Sequence, residues 1–279
     1  MMIKTSKYVI KAQGLAIVRV LSFYILCTLF FIAATALTTN VASDLKDHVS
    51  MGLAIAATIL LIVLFCRIER TTLKASGVIS GRTSISRFLC GYLIGLSMAF
   101  GQACIVMGLG HFHLKLVVNL SALQIFSFFL LFLLAALREE LVFRSYALTS
   151  LKISLGPVAG LSIITVIFIL EHVAAGMPLG TAIIGSGMGG LLFGYAALKT
   201  KGLALPLGLH SAWNFGQWML GFKGGQGIWQ TETVNAFTTH LQNIGLAAFM
   251  LLTTISMIGI HFFYKRKVKN LGFPKDEVF

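Results

Sequence analysis

Apolar stretches of about 20 residues recur along this chain, and they constrain its fold more than any other feature. A stretch of that length spans a hydrocarbon core of about 30 Å as an α-helix, which satisfies every backbone hydrogen bond within the segment. The chain has eight such stretches, at residues 16–37, 51–66, 89–109, 122–144, 157–176, 180–198, 203–221 and 243–264. Since 57% of the residues are hydrophobic and only 11% are charged, we expect an all-α, polytopic transmembrane helical bundle.

The positive charge of the chain lies mainly on one side of these predicted spans. Of the 22 Lys and Arg residues, 16 fall in segments that eight crossings would place on the same side as both termini. They are Lys4, Lys7, Lys11, Arg67, Arg70, Lys74, Arg82, Arg87, Lys152, Lys199, Lys201, Lys265, Arg266, Lys267, Lys269 and Lys275. The positive-inside rule therefore predicts that both termini are cytoplasmic. Because the net charge of +13 is explained by topology, we expect no nucleic-acid partner.

Polar residues that a membrane span tolerates poorly are concentrated between residues 120 and 220. Most of them fall in three pairs at i, i+4 spacing, one of which includes a phenylalanine, and this spacing places the members of each pair on one helix face. The pairs are Glu140 with Arg144, Phe168 with His172, and His210 with Asn214. Glu139 belongs to none of these pairs, and on a helix it points about 100° away from Glu140.

Each of these groups, taken singly, has a purely structural interpretation. Arg144 can neutralise Glu140, and a single histidine within a span can be a hydrogen-bonded packing residue. Together they are too numerous for scaffolding, because each unsatisfied buried polar group costs about 1 to 3 kcal/mol. We therefore expect them to share one water-filled site within the membrane.

The residue types in this site favour hydrolysis by an activated water. No serine or cysteine stands in a convincing nucleophile context, and the glycine-rich stretch 185–190 around Ser186 is predicted to serve helix packing. A glutamate can act as general base, with one imidazole helping to hold the water. A second imidazole and a carboxamide can donate hydrogen bonds to the oxyanion of a tetrahedral intermediate. This set predicts amide hydrolysis.

A hydrolytic zinc site is the alternative interpretation of the same residues. If a metal is bound, we expect its ligands to be His172, His210 and Glu139. The sequence has no HExxH pattern, and Phe168 occupies the first position of the inverted HxxEH pattern. Because Asn214 is a poor zinc ligand but a good hydrogen-bond donor, no cofactor is firmly implied, and a divalent metal such as zinc stays the alternative.

These motifs resemble those of the CPBP family of intramembrane proteases, which includes the type II CAAX prenyl endopeptidases and the bacterial Abi proteins. The EExxxR motif of the family corresponds to Glu139, Glu140 and Arg144, its FxxxH motif to Phe168 and His172, and its HxxxN motif to His210 and Asn214. The resemblance covers roughly residues 120–220, which are therefore expected to be the catalytic core helices of a single integral membrane domain, residues 1–279.

The resemblance also implies a role for each motif residue. Glu139 corresponds to the base that activates water, with His172 beside it. His210 and Asn214 correspond to the pair that stabilises the oxyanion. The remaining motif residues, Glu140, Arg144 and Phe168, are expected to support this arrangement.

The function implied by the resemblance is that of an intramembrane endopeptidase, which would be metalloprotease-like if a metal ion is bound. Its expected substrate is a peptide or membrane protein, and the alternatives are a prenylated CAAX-type tail and a bacteriocin- or immunity-related peptide. Its expected location is a bacterial inner or plasma membrane. A transporter or a non-catalytic binding or immunity protein that uses the buried carboxylates is the alternative function. The absence of an internal repeat in the sequence counts against transport.

One geometric difficulty concerns the depth of two site residues. Counted from the loops, Glu139 lies near the cytoplasmic end of the fourth span and His172 near the outer end of the fifth, a mismatch of roughly 20 Å at about 1.5 Å per residue. Residues that share one site must lie roughly 3 to 7 Å apart, directly or through water. We therefore expect the fourth helix to sit deeper and to run to about Leu151.

Overall fold

The computed structural model is a helical bundle with one two-stranded β-ribbon. It describes all residues except 1, 80, 110–111, 224–226, 234–237 and 271–279, so Lys275 of the basic tail lies outside the described residues. The elements are α1 Met2–Leu37, α2 Ser43–Ile68, α3 Ser84–Leu109, β1 Phe112–Leu116, α4 Ala122–Arg144, α5 Tyr146–Leu155, α6 Pro157–Ala174, α7 Leu179–Thr181, a π-helical turn Ala182–Ser186, α8 Gly187–Thr200, α9 Ala204–Met219, β2 Trp229–Thr233 and α10 Thr238–Asn270.

Six helices in the described part of the chain are long and apolar enough to cross a membrane. They are Ala12–Leu37, Ser43–Ile68, Ser84–Leu109, Pro157–Ala174, Leu179–Thr200 and His240–Arg266. The protein is therefore an all-α, multi-pass integral membrane protein, as expected. Each of the eight predicted spans overlaps a helix, but α4 and α9 are not among the six. The count of eight and the cytoplasmic placement of the termini thus stay predictions.

The β-ribbon was not expected from the sequence. Strands β1 and β2 pair in antiparallel orientation, with Leu114 opposite Thr231 and Leu116 opposite Trp229. The sequence of β1 does alternate, with apolar residues at 112, 114 and 116 and polar residues at 113 and 115, so a signal for this strand was present. The ribbon joins the α3–α4 connection to the α9–α10 connection, and so links two helices that carry site residues.

The fourth helix was predicted to continue to about Leu151. The helical segment does continue past Arg144, but it is interrupted at Ser145. Ser145 has φ −88° and ψ −111°, and its hydroxyl donates a hydrogen bond to the carbonyl oxygen of Leu141. The segment resumes as α5 and ends at Gly156, whose φ of +88° reverses the chain. The prediction of one continuous helix that runs to about Leu151 was therefore wrong.

The reversal at Gly156 brings α6 back alongside α5. A Cβ added at Gly160 would lie 2.9 Å from Lys152 N, so the two helices are in close contact there. Further along α6, the Phe168 ring lies 5.0 Å from the Phe143 ring of α4. The α4–α5–α6 path therefore places the FxxxH motif beside the EExxxR motif, which removes the apparent difference in depth.

Two glycines allow α9 to pack directly against α3. A Cβ at Gly91 of α3 would lie 3.0 Å from Leu209 N, and one at Gly208 of α9 would lie 2.8 Å from Tyr92 N. Small residues let membrane helices approach to backbone contact in this way. The contact holds α9, and with it His210, against a helix of the N-terminal half.

The glycine-rich stretch 185–190 serves helix packing, as predicted. A Cβ at Gly190 would lie 3.2 Å from Phe168 Cδ1 and 3.3 Å from Thr165 Cγ2 of α6. Ser186 donates a hydrogen bond to Met177 Sδ at 3.6 Å. The glycines thus let α8 approach the face of α6 that carries Phe168.

Candidate active site

A buried ion pair on α4 forms the base of the site. Arg144 Nη1 lies 3.4 Å from Glu140 Oε1, and neither side chain has any exposed surface. The guanidinium lies over the Phe168 ring at 4.4 Å, with the rings of Phe143 and Phe193 at 5.3 and 5.7 Å. A desolvated guanidinium is attracted to aromatic faces by about 2 kcal/mol. Phe168 therefore helps to hold the cation that neutralises Glu140.

Glu140 in turn holds His210 of α9. His210 Nδ1 lies 2.8 Å from Glu140 Oε1, and the imidazole stacks on the Phe193 ring at 4.4 Å between centroids. Since an ionised carboxylate only accepts hydrogen bonds, it fixes a hydrogen on Nδ1. The other ring nitrogen, Nε2, lies 3.7 Å from Glu139 Oε2. Glu140 thereby orients the imidazole toward the neighbouring glutamate.

Glu139 differs from Glu140 in two respects that matter for catalysis. Its side chain keeps 20% of its surface exposed, whereas Glu140 keeps none. In addition, Oε1 of Glu140 is held by His210 and Arg144, whereas Glu139 has only the longer approach of its Oε2 to His210; the Oε2 atoms of both residues are buried and accept no hydrogen bond within the described part of the chain. A carboxylate oxygen that is close to an imidazole yet without a hydrogen bond is suited to accept a proton from a substrate water.

His172 lies on the Phe168 side of the same site. Its Nδ1 lies 2.9 Å from Phe168 O, and its ring centroid is 4.4 Å from the Phe168 ring. Because a carbonyl oxygen accepts, Nδ1 is the donor, and Nε2 is left for another partner. His172 is also within electrostatic range of the Glu139 carboxylate.

Asn214 lies one helical turn beyond His210 on α9. Its Oδ1 accepts a hydrogen bond from Lys223 Nζ at 3.0 Å. The sequence analysis did not identify Lys223, because it stands in none of the motifs and follows α9 in a connection. A lysine close after the HxxxN motif was the only signal that the sequence offered.

Direct contacts therefore join five of the predicted site residues, and the other two lie at the edge of this group. The five are Glu139, Glu140, Arg144, Phe168 and His210. His172 contacts the group through Phe168. Asn214 is connected to it through α9 and through Lys223, whose charge interacts with Glu139.

A second buried ion pair, which the sequence analysis did not assign, ties α4 to α6. Arg138 Nη1 lies 2.5 Å from Glu171 Oε1, with 5% and 18% of the two side chains exposed. The Arg138 guanidinium also lies 4.5 Å over the Phe31 ring of α1. Since these residues directly precede Glu139 and His172, the pair fixes the two helices at the point where both site residues project. Glu171 thus has a structural partner.

Breaking this pair is expected to destabilise the bundle. Arg138→Met should lower the free energy of unfolding by about 2 to 3 kcal/mol, because it leaves a largely buried Glu171 without a counter-charge. The double variant Arg138→Met/Glu171→Leu should be closer to the unmodified protein, since both charges are removed. Reversible unfolding in mixed micelles measures the free energy of unfolding of both variants. Equal losses in the single and double variants would show that the uncompensated charge of Glu171 is not the cause.

The site residues do not fit a bound metal in this arrangement. Both histidines donate from Nδ1, as metal-binding histidines commonly do, and keep Nε2 available. However, the described residues contain no group of three His, Cys, Asp or Glu side chains that could hold a metal ion. The set predicted as possible ligands, His172, His210 and Glu139, is therefore not assembled as a coordination site.

Comparison with known proteins places a family match on this region. Residues 120–216 match the family described as Type II CAAX prenyl endopeptidase Rce1-like. The matched range begins just before α4 and ends within α9, so it contains all the motif residues. No curated protein matches the chain significantly.

Proposed function

We propose that this chain, whose residues 120–216 match the Rce1-like family and whose motifs resemble those of the CPBP membrane proteases, hydrolyses a peptide bond with a water activated by Glu139. The observation that carries this mechanism is the environment of the Glu139 carboxylate. Its Oε2 accepts no hydrogen bond in the described part of the chain and lies 3.7 Å from His210 Nε2. Glu140 is less suited to this role, because its Oε1 is engaged by Arg144 and His210 and its side chain has no exposed surface through which a substrate water could reach it.

The reaction proceeds by addition of water to the peptide carbonyl. Glu139 accepts a proton from a water while the water oxygen bonds to the carbonyl carbon, which generates an oxyanion. His172 Nε2 helps to orient that water. The carbon–nitrogen bond then breaks as Glu139 returns its proton to the leaving amine, which yields a carboxylic acid and a free amine.

His210 and Asn214 stabilise the oxyanion in this scheme. Donation from His210 Nε2 requires a doubly protonated ring, because Nδ1 already directs its hydrogen to Glu140. Asn214 donates from its amide nitrogen. Preorganised donors of this kind are typically worth about 10² to 10³ in kcat each.

The proposed substrate is a peptide segment that reaches the site from the bilayer. A prenylated CAAX-type tail, a bacteriocin- or immunity-related peptide and a segment of another membrane protein all meet this description. The proposed location is a bacterial inner or plasma membrane.

Cleavage by the purified full chain in proteoliposomes tests the proposal. A prenylated CAAX-type peptide, its unprenylated counterpart and a transmembrane peptide would be supplied separately, with products identified by mass spectrometry. We expect cleavage of at least one of them at a single bond. Proton-dependent flux across the same liposomes, abolished by Glu140→Gln while no peptide is cut, would instead favour the transporter alternative.

Activity is expected to persist without a bound transition metal. Chelator-treated protein should keep its cleavage rate, because the proposed base is a carboxylate and the proposed oxyanion donors are side-chain N–H groups. Elemental analysis of the active protein provides the measurement. One zinc per chain, lost together with activity on chelation and regained with it on readdition, would overturn this prediction.

A further inference from the structure

Lys223 follows α9 beyond the family-matched region 120–216 and belongs to no motif. Although the residue is exposed, its ammonium reaches back to the site. Nζ donates to Asn214 Oδ1 at 3.0 Å and lies 5.2 Å from the centroid of the Phe132 ring of α4. Its charge also interacts with the Glu139 carboxylate. One lysine therefore contacts two of the three helices that carry the proposed catalytic groups, α4 and α9.

The hydrogen bond to Lys223 determines which way the Asn214 amide faces. An ammonium group only donates, so it selects the amide oxygen and excludes the flipped rotamer that would present the NH₂ group to it. With Oδ1 engaged, the two N–H bonds of Nδ2 remain for another acceptor. This is the orientation that an oxyanion donor requires.

The backbone between α9 and Lys223 is held by the β-ribbon. Gly221 has φ +72°, and a Cβ there would lie 2.6 Å from Trp229 O and 3.1 Å from Thr231 N of β2. Phe222 N donates to Gln217 O at 2.9 Å, which closes the end of α9. Because β2 is paired with β1, the ribbon fixes the position from which Lys223 extends.

We propose that Lys223 is a positioning residue that holds the Asn214 amide with Nδ2 directed at the substrate carbonyl. The inference rests on the proposed function, in which Asn214 stabilises the oxyanion. It adds a residue contributed by the connection after α9, outside the helices that carry the motifs. The ribbon that holds this connection thereby becomes part of the support of the site.

Lys223→Met tests the inference, since it keeps the length of the side chain but removes the donor. We expect kcat for peptide cleavage to fall about tenfold, part of the 10² to 10³ typical for a lost oxyanion donor, with KM changed less than about threefold. Lys223→Arg, which keeps a cationic donor, should recover most of the rate. Lys46→Met, which removes a lysine from the first turn of α2, outside this site, is the control and should leave the rate unchanged.

A double-mutant cycle separates positioning from a general electrostatic effect. If Lys223 acts through Asn214, then Asn214→Ala/Lys223→Met should be no slower than Asn214→Ala alone. Multiplicative losses in the double variant, or an unaltered rate in Lys223→Met, would overturn the inference. Failure of the unmodified protein to cleave any peptide would instead overturn the proposed function itself, so the two failures are distinguishable.

Discussion

Glu139→Gln is expected to lower kcat for peptide cleavage about 10³-fold, the largest effect of any single change in the site. The amide has nearly the same shape as the carboxylate but cannot accept a proton from water. Because Glu139 Oε2 accepts no hydrogen bond from the described residues, the substitution should leave the packing intact. Cleavage in proteoliposomes, together with the unfolding transition of the purified variant, measures both expectations.

The matched control for Glu139→Gln is Asp47→Asn. It removes an acidic charge from the first turns of α2, at an exposed position away from the site. We expect this control to keep the rate of the unmodified protein. A Glu139→Gln variant that retained full activity would reject Glu139 as the base, and with it the proposed mechanism. If Glu139→Gln lost its activity because it failed to fold, Glu139→Ala would serve as a second variant, since it removes the carboxylate without introducing an amide.

Arg144→Met is expected to cause the largest loss of stability, about 3 to 5 kcal/mol in the free energy of unfolding. The substitution leaves Glu140, which has no exposed surface, without its counter-charge. It also removes the cation that lies over the Phe168 ring at 4.4 Å. Denaturing-detergent titration in mixed micelles gives the free energy, provided that the transition is reversible.

The double variant Glu140→Gln/Arg144→Met separates stability from activity. It removes both buried charges, so most of the lost free energy of unfolding should return. A glutamine at position 140 can still accept from His210 Nδ1, but as a neutral and weaker partner. Cleavage should therefore stay impaired while stability recovers. If the double variant were as unstable as Arg144→Met, the uncompensated charge of Glu140 would not be the cause.

The proposed catalytic group is built as a series of contacts rather than as a cluster around one atom. Phe168 packs on Arg144, Arg144 neutralises Glu140, Glu140 orients His210, and His210 faces Glu139. A change at the Phe168 end therefore reaches the proposed base through three intermediate side chains. This accounts for an aromatic motif residue that has no chemistry of its own.

The sequence by itself determined the class of fold and predicted most members of the candidate site. Apolar stretches of membrane-spanning length identified the helices, because a backbone in lipid has no other way to satisfy its hydrogen bonds. Buried carboxylates and imidazoles identified the site, because such groups are too costly within a bilayer to be incidental. The i, i+4 spacing also placed Glu140 and Arg144 on one face, where they form the ion pair.

Only the tertiary structure decided which of these groups meet and what supports them. The partnership of Arg138 with Glu171 joins residues 33 positions apart, and no periodicity in the sequence encodes such a contact. The interruption at Ser145, where φ is −88° and ψ −111°, is not marked by a proline or a glycine. Lys223 reaches Asn214 because a ribbon of two distant strands holds its connection. Helix periodicity fixes the face on which a side chain lies, whereas its partner across the bundle is set by how the helices pack.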